Sequence, residues 1–282
     1  MTTAVATLDD ATDRQRWFLL GAIVTMATLY SMTILVVGVI LPQMQGALSA
    51  TPDQISWTVT FNILATAVVT PLTGWLTGRW GWRGVTLTCL SGFTLSTLFC
   101  GLSQNLEQLV FFRILQGGLG APLIPMAQAV VLSSFPKHQH GMATSLFGMG
   151  VVVGPIFGPV FGGILSEIFN WRWAFFMIVP MASIALSMLW VLLPDKGKKD
   201  RVDFAWTGFL ALSVALTCLQ LILDRGQRAD WFDSSEIVGE TAIGLAAFSI
   251  YVLHSLASRS PLLNLRLLAN RNYALGLIIV TV

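Results

Sequence analysis

The sequence predicts an all-α membrane protein, a bundle of helices that cross a lipid bilayer several times. Apolar residues make up 55% of the 282 positions and charged residues only 11%, whereas a soluble domain has roughly 25% charged residues. The charges are also segregated, since neither 17–52 nor 84–106 contains an Asp, Glu, Lys or Arg. About 20 apolar residues cross the roughly 30 Å hydrocarbon core as a helix. Stretches of that length recur along the chain.

Eight complete spans are predicted, at 17–41, 56–77, 84–104, 109–132, 141–165, 173–193, 204–223 and 237–257. A ninth begins near Asn272 and reaches only to Val282, which is too short to cross a bilayer. We therefore expect the chain to be the front part of a longer protein. The predicted organisation is a tail (1–16), a six-span bundle (17–193), a charged linker (194–203), a two-span pair (204–257), and a loop with the start of a ninth span (258–282).

Lysine and arginine predict the orientation, because they are enriched in cytoplasmic loops. With the N-terminus in the cytoplasm, twelve of the sixteen lie in inside segments, and only Arg172, Arg225 and Arg228 lie outside. The sequence thus predicts a cytoplasmic N-terminus, and the net charge of +2 does not indicate nucleic-acid binding. We find no catalytic constellation, phosphate loop or metal-ligand cluster. The interpretation is a transporter that uses no cofactor, rather than an enzyme.

The fifth span contains the stretch "GVVVGPIFGPVFGG" (150–163). Gly150, Gly154, Gly158 and Gly162 recur every four residues and share one helix stripe, which permits close approach of a neighbouring backbone. Pro155 and Pro159 each remove an amide donor and favour a bend. A general packing ridge is the simpler interpretation. The regular spacing favours a specialised helix, and we expect its glycine ridge to seal against a second bundle.

The fourth span contains Arg113, in "LVFFRILQGGLGAP" (109–122). An arginine near the middle of a membrane costs about 2.5–3.5 kcal/mol on insertion scales and indicates function by default. Gln116 lies three residues on and shares its face. We favour an internal polar site over the alternative, a structural arginine that reaches the interface or pairs with Glu107.

The connection between spans 2 and 3 reads "GWLTGRWGWRG" (74–84). Its two cations, Arg79 and Arg83, lie beside glycines at a helix exit, where they can bind C-terminal carbonyls of facing helices. A plain basic turn that follows the positive-inside rule is equally compatible with this stretch.

Together these stretches resemble the major facilitator superfamily, and within it the fourteen-span drug:proton antiporters of the EmrB/QacA branch. The resemblance covers residues 17 to about 282 and includes "NWRWAFFMIVP" (170–180) and "LDRGQRADWF" (223–232). It implies the major facilitator fold and proton-driven efflux of hydrophobic or amphipathic compounds across the inner membrane. It also implies a periplasmic adaptor and an outer-membrane channel as partners. The roles it implies are a proton relay at Arg113 and Gln116, a gating loop with Gly74, Arg79, Gly81 and Arg83, and an antiporter motif with Gly150, Gly154, Pro155, Gly158, Pro159, Gly162 and Gly163.

The sequence departs from that family in the first span. In "MTILVVGVILP" (32–42) Thr33 stands where the family has an aspartate, and Gly38 where it has an asparagine. No acid lies near the middle of a complete span; Asp224 and Glu240 lie at span edges. Either a further part of the protein supplies the proton-binding acid, or coupling is altered.

Spans 1, 2 and 4 line the central cavity in this superfamily, and few polar groups among aromatic and methionine side chains suit bulky amphipathic compounds. Packing or lipid contact is an equal alternative for any one of the candidates. Two further hypotheses stay open: a uniporter or exporter of a metabolite or lipid, and a non-transporting half-protein or inactive remnant. The cavity candidates are Tyr30, Met32, Thr33, Trp57, Asn62, Met126 and Gln128.

Overall fold

In a computed structural model the chain is a bundle of long helices. The structure describes residues 13–193 and 204–258, and beyond them 262, 267, 269–271 and 275–276. The residues in those ranges form helices and short connections without a β-strand. The tail up to residue 12, the linker 194–203 and most of the expected ninth span lie outside the described residues.

Eight helical segments are long and apolar enough to cross a membrane, which confirms the eight predicted spans. Four are single unbroken helices: span 1 (Asp13–Ala47), span 3 (Trp82–Leu102), span 7 (Trp206–Arg225) and span 8 (Ser235–Ala257). Span 5 is His140–Ile168, entered through a short turn at Lys137–Gln139. Spans 2, 4 and 6 each consist of two consecutive helices, Pro52–Val69 with Thr73–Trp80, Leu106–Gly120 with Leu123–Ser134, and Trp173–Phe176 with Ile178–Leu192.

The helices extend beyond the apolar stretches because local signals cap them. Span 2 begins four residues before its predicted start, since Thr51 forms a capping box with Gln54 and Pro52 occupies the first turn. The Asn105 side chain caps span 4 by accepting a hydrogen bond from the Gln108 amide, at 2.9 Å. The break in span 4 comes at Pro122, which has no amide hydrogen to continue the ladder.

We call the side of the loops 1–2, 3–4, 5–6 and 7–8 the outer face and the opposite side the inner face, following the predicted orientation. Span 1 lies at the centre of the bundle and packs against spans 2, 4, 5 and 6. Ala27, Val36, Val37, Ile40 and Met44 of span 1 have no exposed surface. The apolar core therefore forms around span 1, with a larger cluster toward the inner face and a smaller one toward the outer face.

Spans 3 and 6 are joined at both faces by arginines that donate to main-chain carbonyls. On the outer face Arg172 donates to the Ser103 carbonyl at 2.9 Å, and its guanidinium lies 4.5 Å from the Trp171 ring. On the inner face Arg83 donates to the Trp190 carbonyl at 2.8 Å. These bonds supply donors to carbonyl groups at the ends of spans 3 and 6, which have no partner within their own helix.

Spans 7 and 8 form a hairpin that packs on the six-span bundle through span 2. On the inner face Phe204 lies 4.8 Å from Trp75, measured between ring centroids. On the outer face Arg228 forms a salt bridge of 2.8 Å with Asp53. The hairpin is thus attached to span 2 near both ends of span 7.

Candidate functional site

The Arg113 side chain lies wholly inside the bundle, with no exposed surface. Its Nε donates to the Thr58 carbonyl of span 2 at 2.9 Å, and Nη1 donates to the Gln116 side-chain oxygen. Arg113 is about 10 Å along the axis from the start of its helix, at 1.5 Å per residue. A guanidinium at this depth is stable only where such acceptors replace water.

Gln116 and Asn62 extend the bonding of Arg113 into two other spans. Gln116, also without exposed surface, donates through Nε2 to the Thr97 hydroxyl of span 3 at 2.7 Å. The Asn62 amide of span 2 donates to the Arg113 carbonyl at 2.8 Å. The side chains of this site thereby join spans 2, 3 and 4.

Tyr30 connects span 1 to the same set of residues. Its hydroxyl donates to the Thr66 hydroxyl at 3.2 Å, and Thr66 donates to the Asn62 carbonyl at 2.9 Å. The Tyr30 ring occupies the space where a side chain at position 120 would lie, so Gly120 is needed for this packing. We call the complete set the polar network: Tyr30, Thr58, Asn62, Thr66, Thr97, Arg113 and Gln116.

The geometry decides between the two interpretations of Arg113. Glu107 is exposed at the outer end of the helix, and within the described ranges no ion pair includes Arg113. The guanidinium is bonded to neutral acceptors in the interior, so it neither reaches the interface nor pairs with Glu107. Arg113 is an internal cation, as the sequence predicts; its role as a proton relay stays a prediction.

Thr97 gives a first test of the network. Thr97→Val keeps the shape of a side chain that is fully buried but removes the acceptor for Gln116. We expect it to destabilise the protein by about 0.6–2 kcal/mol, the range for hydrogen bonds between membrane helices. Thr97→Ser keeps the hydroxyl and serves as control. Thermal unfolding in detergent measures both, and equal melting temperatures would contradict the assignment.

The substrate-cavity candidates fall into three groups. Four of them, Tyr30, Met32, Thr33 and Asn62, are at most 7% exposed and pack inside the bundle, and for them the cavity role stays a prediction. Trp57 and Gln128 are exposed, and for them the cavity role stays a prediction. Met126 lines a cavity.

That cavity has a volume of about 430 Å³ and lies between the inner halves of spans 2 and 4. Thr70, Thr73 and Thr77 of span 2 face Pro125 and Met126 of span 4 across it, and Gly74 of the gating loop borders it. Its size falls within the roughly 300–1,000 Å³ of small-molecule pockets. A mostly apolar wall with a few hydroxyls suits an amphipathic molecule.

The gating-loop residues occupy the inner face. Gly81 links spans 2 and 3 with a positive φ of 77°, a conformation that glycine adopts without strain. Arg83 binds the C-terminal turn of span 6, which is one of the two interpretations that the sequence left open. Exposed Arg79 lies over the Trp75 ring at 5.6 Å. The gating role itself stays a prediction.

The glycine ridge of span 5 is buried, but not against a second bundle. A side chain at Gly150 would reach Val24, and one at Gly154 would reach the backbone of Thr28 and Met32. Gly158 and Gly162 meet Met32 and Val36 in the same way. The expectation that the ridge seals against a partner bundle is therefore wrong, because span 1 of the same bundle occupies that side.

The other residues of this motif have different surroundings. Pro155 and Pro159 are half-buried inside an unbroken helix, and the bend we expect there stays a prediction. Gly163 is off the ridge and has only ordinary contact with Val39. The face of span 5 opposite span 1 is exposed and apolar.

Thr33, at the place of the family's acid, is buried and donates to the Tyr30 carbonyl at 2.7 Å. Its hydroxyl is therefore engaged within its own helix and takes no part in the polar network. A threonine at this position cannot carry a proton near neutral pH.

Sequence reasoning missed the threonines of the network. Their signal is periodic: polar residues recur on span 2 at every third or fourth position, which places them on one helix face. Toward the outer half this stripe meets Arg113, and toward the inner half it lines the cavity. The stripe consists of Thr58, Asn62, Thr66, Thr70, Thr73 and Thr77.

Comparison with known proteins gives a family and several relatives. The model of the Major Facilitator Superfamily matches residues 21–281. The chain is 33% identical over 247 residues to the multidrug export protein EmrB of Escherichia coli strain K12, covering 87% of this chain and 48% of that protein. It is 33% identical over 246 residues to the probable multidrug resistance protein EmrY of the same strain, with 86% and 48% covered.

A third relative is the fatty acid resistance protein FarB of Neisseria gonorrhoeae. It is 34% identical over 244 residues, which cover 86% of this chain and 48% of FarB. The chain thus spans about half the length of these curated relatives.

Proposed function

The chain belongs to the major facilitator superfamily, and from that premise we propose that it provides the first bundle of a proton-driven exporter of hydrophobic or amphipathic toxic compounds. Similarity to proteins named for multidrug export and fatty acid resistance supports this class of substrate. The observation that carries the proposal is the buried Arg113, which among the described residues is bonded only to neutral partners, in span 2 directly and in span 3 through Gln116.

The polar network gives the proposed mechanism its coupling element. Arg113 is fixed to span 2 through Thr58 and Asn62 and to span 3 through Gln116 and Thr97. A carboxylate that approaches when ionised and withdraws when protonated would pull on all three spans through one guanidinium. Charge-assisted bonds of this kind are about twice as strong as neutral ones.

The inner cavity supports a path for substrate entry. It lies beside the gating loop, and its wall combines the flexible Met126 with threonine hydroxyls. Soft methionine surfaces adapt to compounds of several shapes. We propose that compounds enter here from the cytoplasmic side and leave outward as this bundle rocks against a C-terminal transporter half.

The location follows from the same premise. Eight membrane-length helices make this a multi-pass membrane protein. We propose the inner membrane, with a cytoplasmic N-terminus, for which the distribution of lysine and arginine is the support. We propose a periplasmic adaptor and an outer-membrane channel as partners, which the resemblance to the EmrB/QacA branch implies.

Proton release tests the function directly. The protein, with its complete natural sequence, is reconstituted in liposomes that contain a pH-sensitive dye. Ethidium, an amphipathic dye, and oleate, a fatty acid, are added as probes. We expect either probe to drive proton movement in the opposite direction. Substrate movement without proton movement would identify a uniporter instead, and movement of neither would contradict transport of these classes.

A further inference from the structure

One face of span 7 is polar along half the width of the membrane. Ser213, Thr217, Gln220 and Asp224 are spaced by four, three and four residues, so they lie on one side of the helix. All four are half-buried. Within the described part of the chain the side chains of Ser213, Thr217 and Gln220 make no hydrogen bond. We call these four residues the span 7 stripe.

The hairpin does not need the stripe for its own packing. Span 7 meets span 8 through a different face, where Leu212, Ala215 and Cys218 are buried. Gly244 of span 8 lies directly against Cys218. The seam between the two helices is apolar, so the stripe faces elsewhere. Polar side chains inside a membrane almost always face protein or a water-filled crevice.

Asp224 shows where the stripe points. Its carboxylate accepts a hydrogen bond of 2.8 Å from the Thr60 hydroxyl of span 2. The two nearest cations in sequence are paired with other acids: Arg225 with Glu236 at 2.7 Å and Arg228 with Asp53 at 2.8 Å. In the described ranges Asp224 has no ion pair.

Asp224 and Arg113 are connected through span 2. Thr60 bonds Asp224, and Thr58 bonds Arg113 through its carbonyl. Two residues advance about 3 Å along a helix axis, so both contacts lie at nearly the same depth, on different sides of one helix. A change of charge at Asp224 therefore acts on the helix that holds Arg113.

The other acids of the described spans are less suited to this role. Asp53, Glu107 and Glu167 are exposed. Glu240 of span 8 is half-buried, and one of its carboxylate oxygens is buried without a partner, but in the described part of the chain no hydrogen bond or ion pair connects it to the bundle. The other ionisable groups at the outer ends of spans 2, 7 and 8 are Asp53, Arg225, Arg228, Asp230, Asp233, Glu236 and Glu240.

We propose that Asp224 is the proton-binding carboxylate of this part of the transporter. It takes a proton from the outer solution, which neutralises the carboxylate, and passes that proton to water along the span 7 stripe. Thr60 is a positioning residue that transmits the change to span 2. The proposal rests on the proposed antiport and supplies the acid that span 1 lacks.

The test uses Asp224→Asn in the complete protein, reconstituted with ethidium and oleate as probes. Asparagine still accepts a bond from Thr60, so the hairpin stays docked, but it cannot carry a proton. We expect proton release to fall to background, while exchange of labelled probe across the membrane continues. Asp233→Asn, an exposed acid of the same loop, should behave as wild type.

Thr60→Val should shift the pH at which transport is half-maximal, and Thr60→Ser should restore it. Proton release by Asp224→Asn equal to wild type would overturn the proposal, as would loss of proton release in Glu240→Gln with Asp224→Asn unaffected. A parallel loss of exchange and proton release in Asp224→Asn would assign it a docking role and equally overturn the proposal. If the wild-type protein itself releases no protons, the proposed antiport fails instead.

Discussion

Arg113→Lys is expected to lower efflux about tenfold to a hundredfold, although it keeps the charge. Lysine presents one compact ammonium, whereas the guanidinium is a planar fork. The ammonium cannot bond the Thr58 carbonyl and the Gln116 oxygen at the same time, so one of the two bonds is lost. Each lost bond to a charged group costs about 1.5–3 kcal/mol, and 1.4 kcal/mol is tenfold in an equilibrium.

Ethidium efflux from cells measures the effect of Arg113→Lys, with the amount of protein in the membrane determined alongside. Arg14→Lys is the matched control, because Arg14 is exposed, lies over the Phe18 ring at 5.6 Å and belongs to no proposed site. Lysine can replace arginine over an aromatic ring more readily than in a pair of directed hydrogen bonds, because both cations bind the face of a ring. Normal efflux by Arg113→Lys would show that its two bonds are not needed for transport.

The spans were predictable because each one is a continuous apolar stretch of the sequence. A helix in lipid satisfies every backbone group internally, so apolar length alone locates it, and all eight spans are present in the structure. The ends were less predictable. Thr51 and Asn105 cap their helices and start them before the apolar stretch begins. Pro122 divides span 4 without changing its apolar character.

Arg113 and Gln116 were predictable for a different reason. Their burial is costly, so their presence in a span already implied partners. The partners were harder to find, because Thr58 and Thr66 act through hydroxyl or carbonyl oxygens that every threonine has. Only the packing of spans 2 and 4 selects them. The sequence offers Tyr30 and Asn62 as cavity candidates, and the structure places both in the polar network; their role in a cavity stays a prediction.

The glycine ridge was recognised, but its neighbour was not. Glycines at every fourth position indicate that a neighbouring helix packs closely against one face of span 5. They do not indicate which helix this is. Span 1 presents Val24, Thr28 and Met32 to the ridge. The choice of partner depends on the arrangement of the whole bundle, which no local pattern contains.

This neighbour gives the second large prediction. Gly154→Leu is expected to abolish ethidium efflux while the protein still inserts in the membrane. A Cβ at position 154 would lie 2.9 Å from the Met32 amide nitrogen, and against the Thr28 carbonyl as well. These are backbone atoms of a central helix, so they cannot move aside as a flexible side chain does. Spans 1 and 5 must separate, which displaces Tyr30 from the polar network.

Gly148 supplies a matched control in the same helix, since a Cβ there would meet no atom within 4 Å. Gly148→Ala should stabilise the protein by about 0.5–1 kcal/mol, because alanine has less conformational freedom than glycine in the unfolded chain. Gly154→Ala should instead destabilise it by about 1–3 kcal/mol, the cost of overpacking. Melting temperatures of the two alanine variants would then move in opposite directions. A shift of the same sign in both, or normal efflux by Gly154→Leu, would mean that close contact of spans 1 and 5 is not required.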